Sequence, residues 1–229
     1  MKEERYKYGM IFDMDNTLLQ SNIDFMGMKE AIYELLAKDG LCESDLDWQN
    51  HTASQLIEMG RQSGKMEQET ERRIWETVAE FEKRGMHGAH LEPYVTEVLE
   101  RLCGDCHLVV LTNNACVAAQ EALRETGIDH YFDHIVGREQ MTALKPSPSG
   151  IDYILTHYPD VPVERWMMVG DSWIDGKAAQ DGRVAFAAYK GNHNEMKKKQ
   201  VFPNVCITDM RDLLKNVAWL EDKQTDSLK

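Results

Sequence analysis

The chain has 229 residues, of which 42% are hydrophobic, and a formal net charge of −13 at pH 7. This length and composition predict a core domain with a smaller insertion and enough apolar side chains to bury a core. The excess of acidic residues argues against binding to nucleic acid, whose backbone requires a positive surface. No apolar stretch is long enough to span a bilayer. The polar start, MKEERYKYG, and the odd count of five cysteines predict a cytoplasmic protein.

Two aspartates directly follow the first apolar segment. Residues 10–12 predict a buried strand, and Asp13 and Asp15 lie at its carboxyl end, where open α/β sheets place their active sites. In an extended segment both side chains point the same way, so burying them without a counter-charge would be costly. A divalent cation removes this cost, and Mg²⁺ takes oxygen ligands of this kind. The alternative is a surface turn rich in Asp and Asn.

The next part of the chain has the periodicity of helices. No strand pattern is present between Leu19 and Leu91, and residues 21–90 are therefore predicted to form an all-helical domain with hinges near both ends. Three helices are predicted, at residues 28–37, around residues 56–57 and at residues 70–83.

Beyond residue 91, strand and helix patterns alternate, which predicts a parallel, doubly wound α/β sheet. The strands are predicted at residues 108–111, 135–136, 166–169, 184–188 and 205–207. The helices are predicted at residues 94–102, 117–126, 150–157, 174–180 and 211–217. The polar tail, residues 221–229, is predicted to be disordered.

Polar residues also follow the later strands or precede helices. Thr112 and Asn113 come directly after the strand at 108–111, Lys145 precedes a proline and a helix, and Asp171 and Asp175 follow the strand at 166–169. Each has an ordinary alternative. Thr112 could cap a helix, Lys145 could lie on the surface, and the two aspartates could be acids favoured by a helix dipole. Their common placement at strand ends and helix starts indicates one site on one sheet.

The segment that carries Asp13 and Asp15 and the three segments above resemble, in chain order, the four motifs of the haloacid dehalogenase superfamily. Most members of that superfamily are Mg²⁺-dependent phosphatases. The resemblance implies a Rossmann-like catalytic core formed by residues 1–20 and 91–229, with residues 21–90 as an inserted helical cap. It implies a phosphatase similar to phosphoglycolate phosphatases, with a small phosphorylated metabolite as substrate. The oligomeric state, monomer or homodimer, is left open by the sequence.

The resemblance also implies a role for each matching residue. Asp13 would be the nucleophile that forms an aspartyl-phosphate, and Asp15 would be the general acid and base. Thr112 and Asn113 would hydrogen-bond the phosphoryl oxygens, and Lys145 would offset negative charge. The implied Mg²⁺ ligands are Asp13, Asp15 through its main-chain carbonyl and Asp171, with Asp175 supporting the ion directly or through a water.

Other functions remain open on the sequence alone. A sugar phosphomutase would share the fold and the first motif, a dehalogenase of this superfamily usually lacks the second aspartate, and a binding protein would not need all five charged residues. Cys103 and Cys106 form a C-x-x-C that could indicate redox chemistry or half of a zinc site. Six basic residues of the helical segment could contact the substrate or could simply lie on solvent-exposed helix faces: Arg61, Lys65, Arg72, Arg73, Lys83 and Arg84.

Overall fold

The fold is that of a computed structural model, which describes residues 8–215. The strands are β1 (Tyr8–Phe12), β2 (Leu19–Gln20), β3 (His90–Leu91), β4 (Cys106–Leu111), β5 (His134–Val136), β6 (Trp166–Gly170), β7 (Ala185–Tyr189) and β8 (Val205–Ile207). The α-helices are α1 (Phe25–Lys38), α2 (Ala53–Gln62), α3 (Gln68–Met86), α4 (Val95–Leu102), α5 (Cys116–Glu125), α6 (Ser149–His157), α7 (Trp173–Asp181) and α8 (His193–Lys198).

Six strands form one parallel sheet in the order β5-β4-β1-β6-β7-β8. β1 lies between β4 and β6, with Phe12 opposite Val110 on one side and opposite Val169 on the other. After β5 the chain returns to the opposite side of β1. The carboxyl end of β1 is therefore the switch point at which open α/β sheets bind ligands. The predicted parallel, doubly wound fold is confirmed.

The central strands are buried along their whole length. All residues of β1, β4 and β6 are buried, because helices cover both faces of such a sheet and its strands become continuous apolar runs. Ile11, Val109 and Met168 belong to one apolar cluster with Ile151 of α6 and Ala178 of α7. Each large aliphatic side chain buried in this way contributes on the order of 1.5–3 kcal/mol. The strand ends that carry the polar residues are thus fixed in place.

Residues Ser21–Ala89 form a separate compact unit with three α-helices, in which α1 packs against both α2 and α3. Asp24 caps α1 by accepting a hydrogen bond from the N–H of Gly27 at 2.9 Å, and Thr52 with Gln55 forms a capping box at the start of α2. The fully buried apolar side chains of this unit include Ile32, Leu36, Leu56 and Ile74.

The structure differs from the sequence expectation at both ends of the helical segment. β2 and β3 pair in antiparallel fashion, with Leu19 opposite Leu91 and Gln20 opposite His90. Each is two residues long, which is too short to give an alternating pattern. In addition, α1 begins at Phe25 rather than at residue 28, because the cap precedes it directly.

The C-terminal predictions are covered only in part. Residues 212–215 of the predicted closing helix are helical, and residues 216–217 and the tail at 221–229 lie outside the described residues. Within residues 8–215, no helix is both long and apolar enough to cross a membrane.

Candidate active site

Three neighbouring strands bring the predicted site residues to one edge of the sheet. Asp13 follows β1, Thr112 follows β4 and Asp171 follows β6, and parallel strands share a carboxyl edge. Main-chain hydrogen bonds extend the sheet into this edge, from the N–H of Asp13 to the carbonyl of Val169 at 2.9 Å and from Thr112 to the next strand. The backbone that carries the site is therefore held by the sheet itself.

Lys145 lies at the centre of the site and is 1% exposed. Its Nζ donates to Asp13 Oδ1 at 2.6 Å, to Asp175 Oδ1 at 2.8 Å and to the carbonyl of Leu111 at 2.7 Å. An ammonium group has three hydrogens, so these three acceptors match its donor capacity. The predicted lysine is thus a buried cation between two carboxylates, and the surface alternative is wrong.

Lys145 contacts two members of a cluster of three carboxylates. One oxygen each from Asp13, Asp171 and Asp175 lies within 4.8 Å of the others. Asp175 also accepts a hydrogen bond from the main-chain N–H of Ser172 at 3.1 Å, in the first turn of α7, where a negative charge is favourable. Gly170 permits this approach, because a Cβ there would lie 2.5 Å from the carboxyl carbon of Asp175.

The charges in this cluster do not balance. Burial raises the pKa of Asp13 to about 7 against the opposing effect of Lys145, with Asp175 and Asp15 adding to the rise. Burial, Asp13 and Asp175 raise the pKa of Asp171 to about 8. Burial lowers the pKa of Lys145, but Asp13 and Asp175 outweigh it and hold that pKa above its ordinary value.

With all three carboxylates ionised, the cluster would carry an excess of negative charge over the one ammonium, and this repulsion contributes to the raised pKa values of Asp13 and Asp171. A divalent cation would neutralise this excess. Carboxylate oxygens are the ligands that Mg²⁺ takes, so the donor set fits a magnesium ion.

Asp15 lies outside the three-carboxylate cluster. Its Oδ2 accepts a hydrogen bond from the side-chain amide of Asn114 at 2.7 Å. Asn16, next in the chain, has the left-handed backbone (φ 57°) that asparagine tolerates. Sequence reasoning assigned no separate role to Asn114. The only indication in the sequence was that Asn114 is the third polar residue after the buried strand that ends at Leu111.

Asn113 and Thr17 hold the two charged partners of the site. The side-chain amide of Asn113 pairs with the main chain of Lys145, accepting from its N–H at 2.9 Å and donating to its carbonyl at 3.0 Å. The hydroxyl of Thr17, fully buried, donates to Asp13 Oδ2 at 3.3 Å. Sequence reasoning placed Asn113 at the phosphate and gave Thr17 no contact.

The structure also describes the cysteine pair and several basic residues that the sequence left as candidates. Cys103 is exposed and Cys106 is buried, both have free thiols, and burial raises the pKa of Cys106 to about 12, which opposes thiolate chemistry. In the helical unit, Arg61 pairs with Glu71, and Arg72 pairs with two glutamates of α3.

Comparison with known proteins identifies the family. Residues 10–189 match the family model of haloacid dehalogenase-like hydrolases. A phosphoglycolate phosphatase of Mannheimia succiniciproducens is 30% identical over 218 residues, which cover 90% of this chain and 96% of that protein. A phosphoglycolate phosphatase of Haemophilus influenzae is 29% identical over 80% of this chain and 85% of its own.

Solved structures agree with this fold. A hydrolase from Pseudomonas syringae has a TM-score of 0.67 at 20% identity, covering 93% of this chain and 98% of its own. A predicted phosphoglycolate phosphatase from Haemophilus somnus has a TM-score of 0.63 at 22% identity, with 91% and 97% covered. Since the family model spans most of the sequence, the chain belongs to the haloacid dehalogenase-like hydrolase family, as its four motifs predict.

Proposed function

We propose that this protein is a Mg²⁺-dependent phosphomonoesterase that hydrolyses a small phosphorylated metabolite in the cytoplasm through an aspartyl-phosphate. The observation that carries the proposal is the buried Nζ of Lys145 between Asp13 and Asp175, beside Asp171 at the switch point of the sheet. A nucleophile, a fixed cation and a set of oxygen ligands are the parts that phosphoryl transfer requires.

Asp13 is the nucleophile in this proposal. A carboxylate oxygen of Asp13 attacks phosphorus, the bond from phosphorus to the ester oxygen breaks, and that oxygen takes a proton from Asp15. Water then attacks the aspartyl-phosphate and gives a proton to Asp15, which releases inorganic phosphate and restores Asp13. Lys145 and Thr17 hold the nucleophile through hydrogen bonds to its two oxygens.

The phosphoryl group is held from the strand end of β4. Thr112 donates through its hydroxyl. Because both polar atoms of the Asn113 side chain contact the main chain of Lys145, Asn113 acts on the phosphate through its own main-chain N–H. Lys145 lowers the negative charge around the reacting group.

Asp13, Asp171 and Asp175 would hold Mg²⁺, together with the main-chain carbonyl of Asp15. The bound ion supplies positive charge that stabilises the phosphoryl oxygens. The helical unit, Ser21–Ala89, would act as a cap that selects the substrate.

The relatives support the coarser part of the assignment, a phosphatase of this family. Their names make phosphoglycolate the first metabolite to assay. No observation on the described residues favours the mutase, and the retained Asp15 opposes the dehalogenase.

The test is hydrolysis of p-nitrophenyl phosphate with Mg²⁺ and with EDTA, by the wild type, Asp13→Asn and Asp181→Asn. Asp181 lies at the end of α7 and pairs with Lys177, so it controls for the substitution itself. We expect activity that needs Mg²⁺, persists in Asp181→Asn and is lost in Asp13→Asn. Activity that survives in Asp13→Asn would contradict the assignment of the nucleophile.

A further inference from the structure

Asn114 contacts two residues of the proposed reaction with two different groups. Its side-chain Nδ2 donates to Asp15 Oδ2 at 2.7 Å, and its main-chain N–H donates to Thr112 Oγ1 at 3.1 Å. Its carbonyl accepts from the main-chain N–H of Arg138 at 3.0 Å. Only 6% of Asn114 is exposed, so these contacts are sheltered from water.

The chemistry of these donors fixes the role of each acceptor. An amide Nδ2 can only donate, so Asp15 Oδ2 acts as its acceptor, and this contact orients the carboxyl group whichever oxygen carries the proton. In the same way, Thr112 Oγ1 accepts from Asn114, which directs the hydroxyl hydrogen of Thr112 to a different acceptor. Asn114 therefore orients both the carboxyl group of Asp15 and the hydroxyl group of Thr112.

We propose that Asn114 is a positioning residue, whose side chain orients Asp15 for proton transfer to the leaving group and whose main chain orients the hydroxyl of Thr112. The inference rests on the proposed phosphatase function and deepens it. The two roles are separable, because a side-chain substitution removes the contact to Asp15 and keeps the main-chain contact to Thr112.

The leaving group of the ester reports on this positioning. p-Nitrophenolate is a stable anion that departs without a proton, whereas phenolate, with a conjugate acid of pKa about 10, depends on a proton from the enzyme. General acid catalysis is worth roughly 10²–10⁴-fold, so a misdirected acid should slow phenyl phosphate far more than p-nitrophenyl phosphate. The comparison uses kcat/KM, which covers the steps up to departure of the leaving group.

The experiment measures both esters with the wild type, Asn114→Leu and Asn114→Ala at saturating Mg²⁺. Leucine keeps the branched shape without the donor, at a somewhat larger volume, and alanine provides a second variant in case leucine impairs folding, which the Tm reports. We expect the ratio of kcat/KM for p-nitrophenyl phosphate to that for phenyl phosphate to rise about tenfold or more, while KM stays near wild type. The control is Asn204→Ala, which removes a 2.8 Å hydrogen bond to the main chain of Phe186 away from the site, and its ratio should not change.

Two results would overturn the inference in distinguishable ways. Equal losses on both esters in folded Asn114 variants would show that the amide only supports packing. A wild type that hydrolyses neither ester with Mg²⁺ would remove the proposed function, and the positioning role with it.

Discussion

Asp171→Asn removes one of three clustered carboxylates, and we expect it to stabilise the protein in the absence of metal. The pKa of Asp171 rises from 3.8 to about 8 on folding. Between these values the unfolded state releases a proton that the folded state retains, so stability falls as the pH rises. The interval between the ordinary pKa of 3.8 and pH 7 is roughly three pH units, and each unit is worth about 1.4 kcal/mol. Ionisation of Asp171 in the unfolded state therefore favours unfolding by up to about 4 kcal/mol at pH 7.

The assay is the Tm at pH 4, 7 and 8, with EDTA and with Mg²⁺, for the wild type, Asp171→Asn and the control Asp181→Asn. One kcal/mol corresponds to about 2–4 °C for a chain of this size. With EDTA, Asp171→Asn should have the higher Tm at pH 7 and 8 and a similar Tm at pH 4. With Mg²⁺, the wild type and Asp181→Asn should gain equally, and both should gain more than Asp171→Asn. The charge argument is refuted if Asp171→Asn is less stable at every pH, or if Mg²⁺ stabilises all three proteins equally.

Three further substitutions test other contacts of the site. Lys145→Met leaves Asp13 and Asp175 without their buried cation, and we expect a loss of about 3–5 kcal/mol in the free energy of unfolding by urea titration; an unchanged urea curve would contradict the ion-pair geometry. Gly170→Ala would place a methyl group 2.5 Å from the carboxyl carbon of Asp175. The displaced carboxylate should weaken Mg²⁺ binding by about tenfold or more in calorimetric titration, and an unchanged affinity would remove Asp175 from the metal site. Asn113→Ala removes two hydrogen bonds to the main chain of Lys145. It should cost about 2 kcal/mol of stability and lower kcat with p-nitrophenyl phosphate, and a wild-type kcat would show that this pairing does not position the lysine.

The strand ends were predictable from the sequence because a strand that is buried on both faces of the sheet consists of consecutive apolar residues. The segments at 108–111 and 166–169 lie within β4 and β6, and the polar residues that follow them lie at the same edge of the sheet. The identity of a buried strand requires only local composition. Predicting the partner of a side chain requires the tertiary arrangement, and the sequence indicated few of these partners.

Asn113 and Asn114 illustrate the limit. They are adjacent, chemically identical and follow the same strand, yet one pairs with the main chain of Lys145 and the other with the carboxylate of Asp15. Both partners are distant in the sequence, so no local pattern distinguishes the two asparagines. The same reason hides the two-residue strands β2 and β3, whose pairing depends on residues at opposite ends of the helical unit.

The central position of β1 has a consequence for the order of folding. β1 is the first strand of the sheet in the chain, but Tyr8 pairs with Cys106 and Gly9 pairs with Trp166, both made much later during synthesis. Until β6 is synthesised, β1 is an apolar segment that lacks at least one of its two neighbouring strands. Such long-range pairings slow folding and expose apolar surface in intermediates. Asp13 is thus synthesised well before Lys145, Asp171 and Asp175, the residues that complete its surroundings.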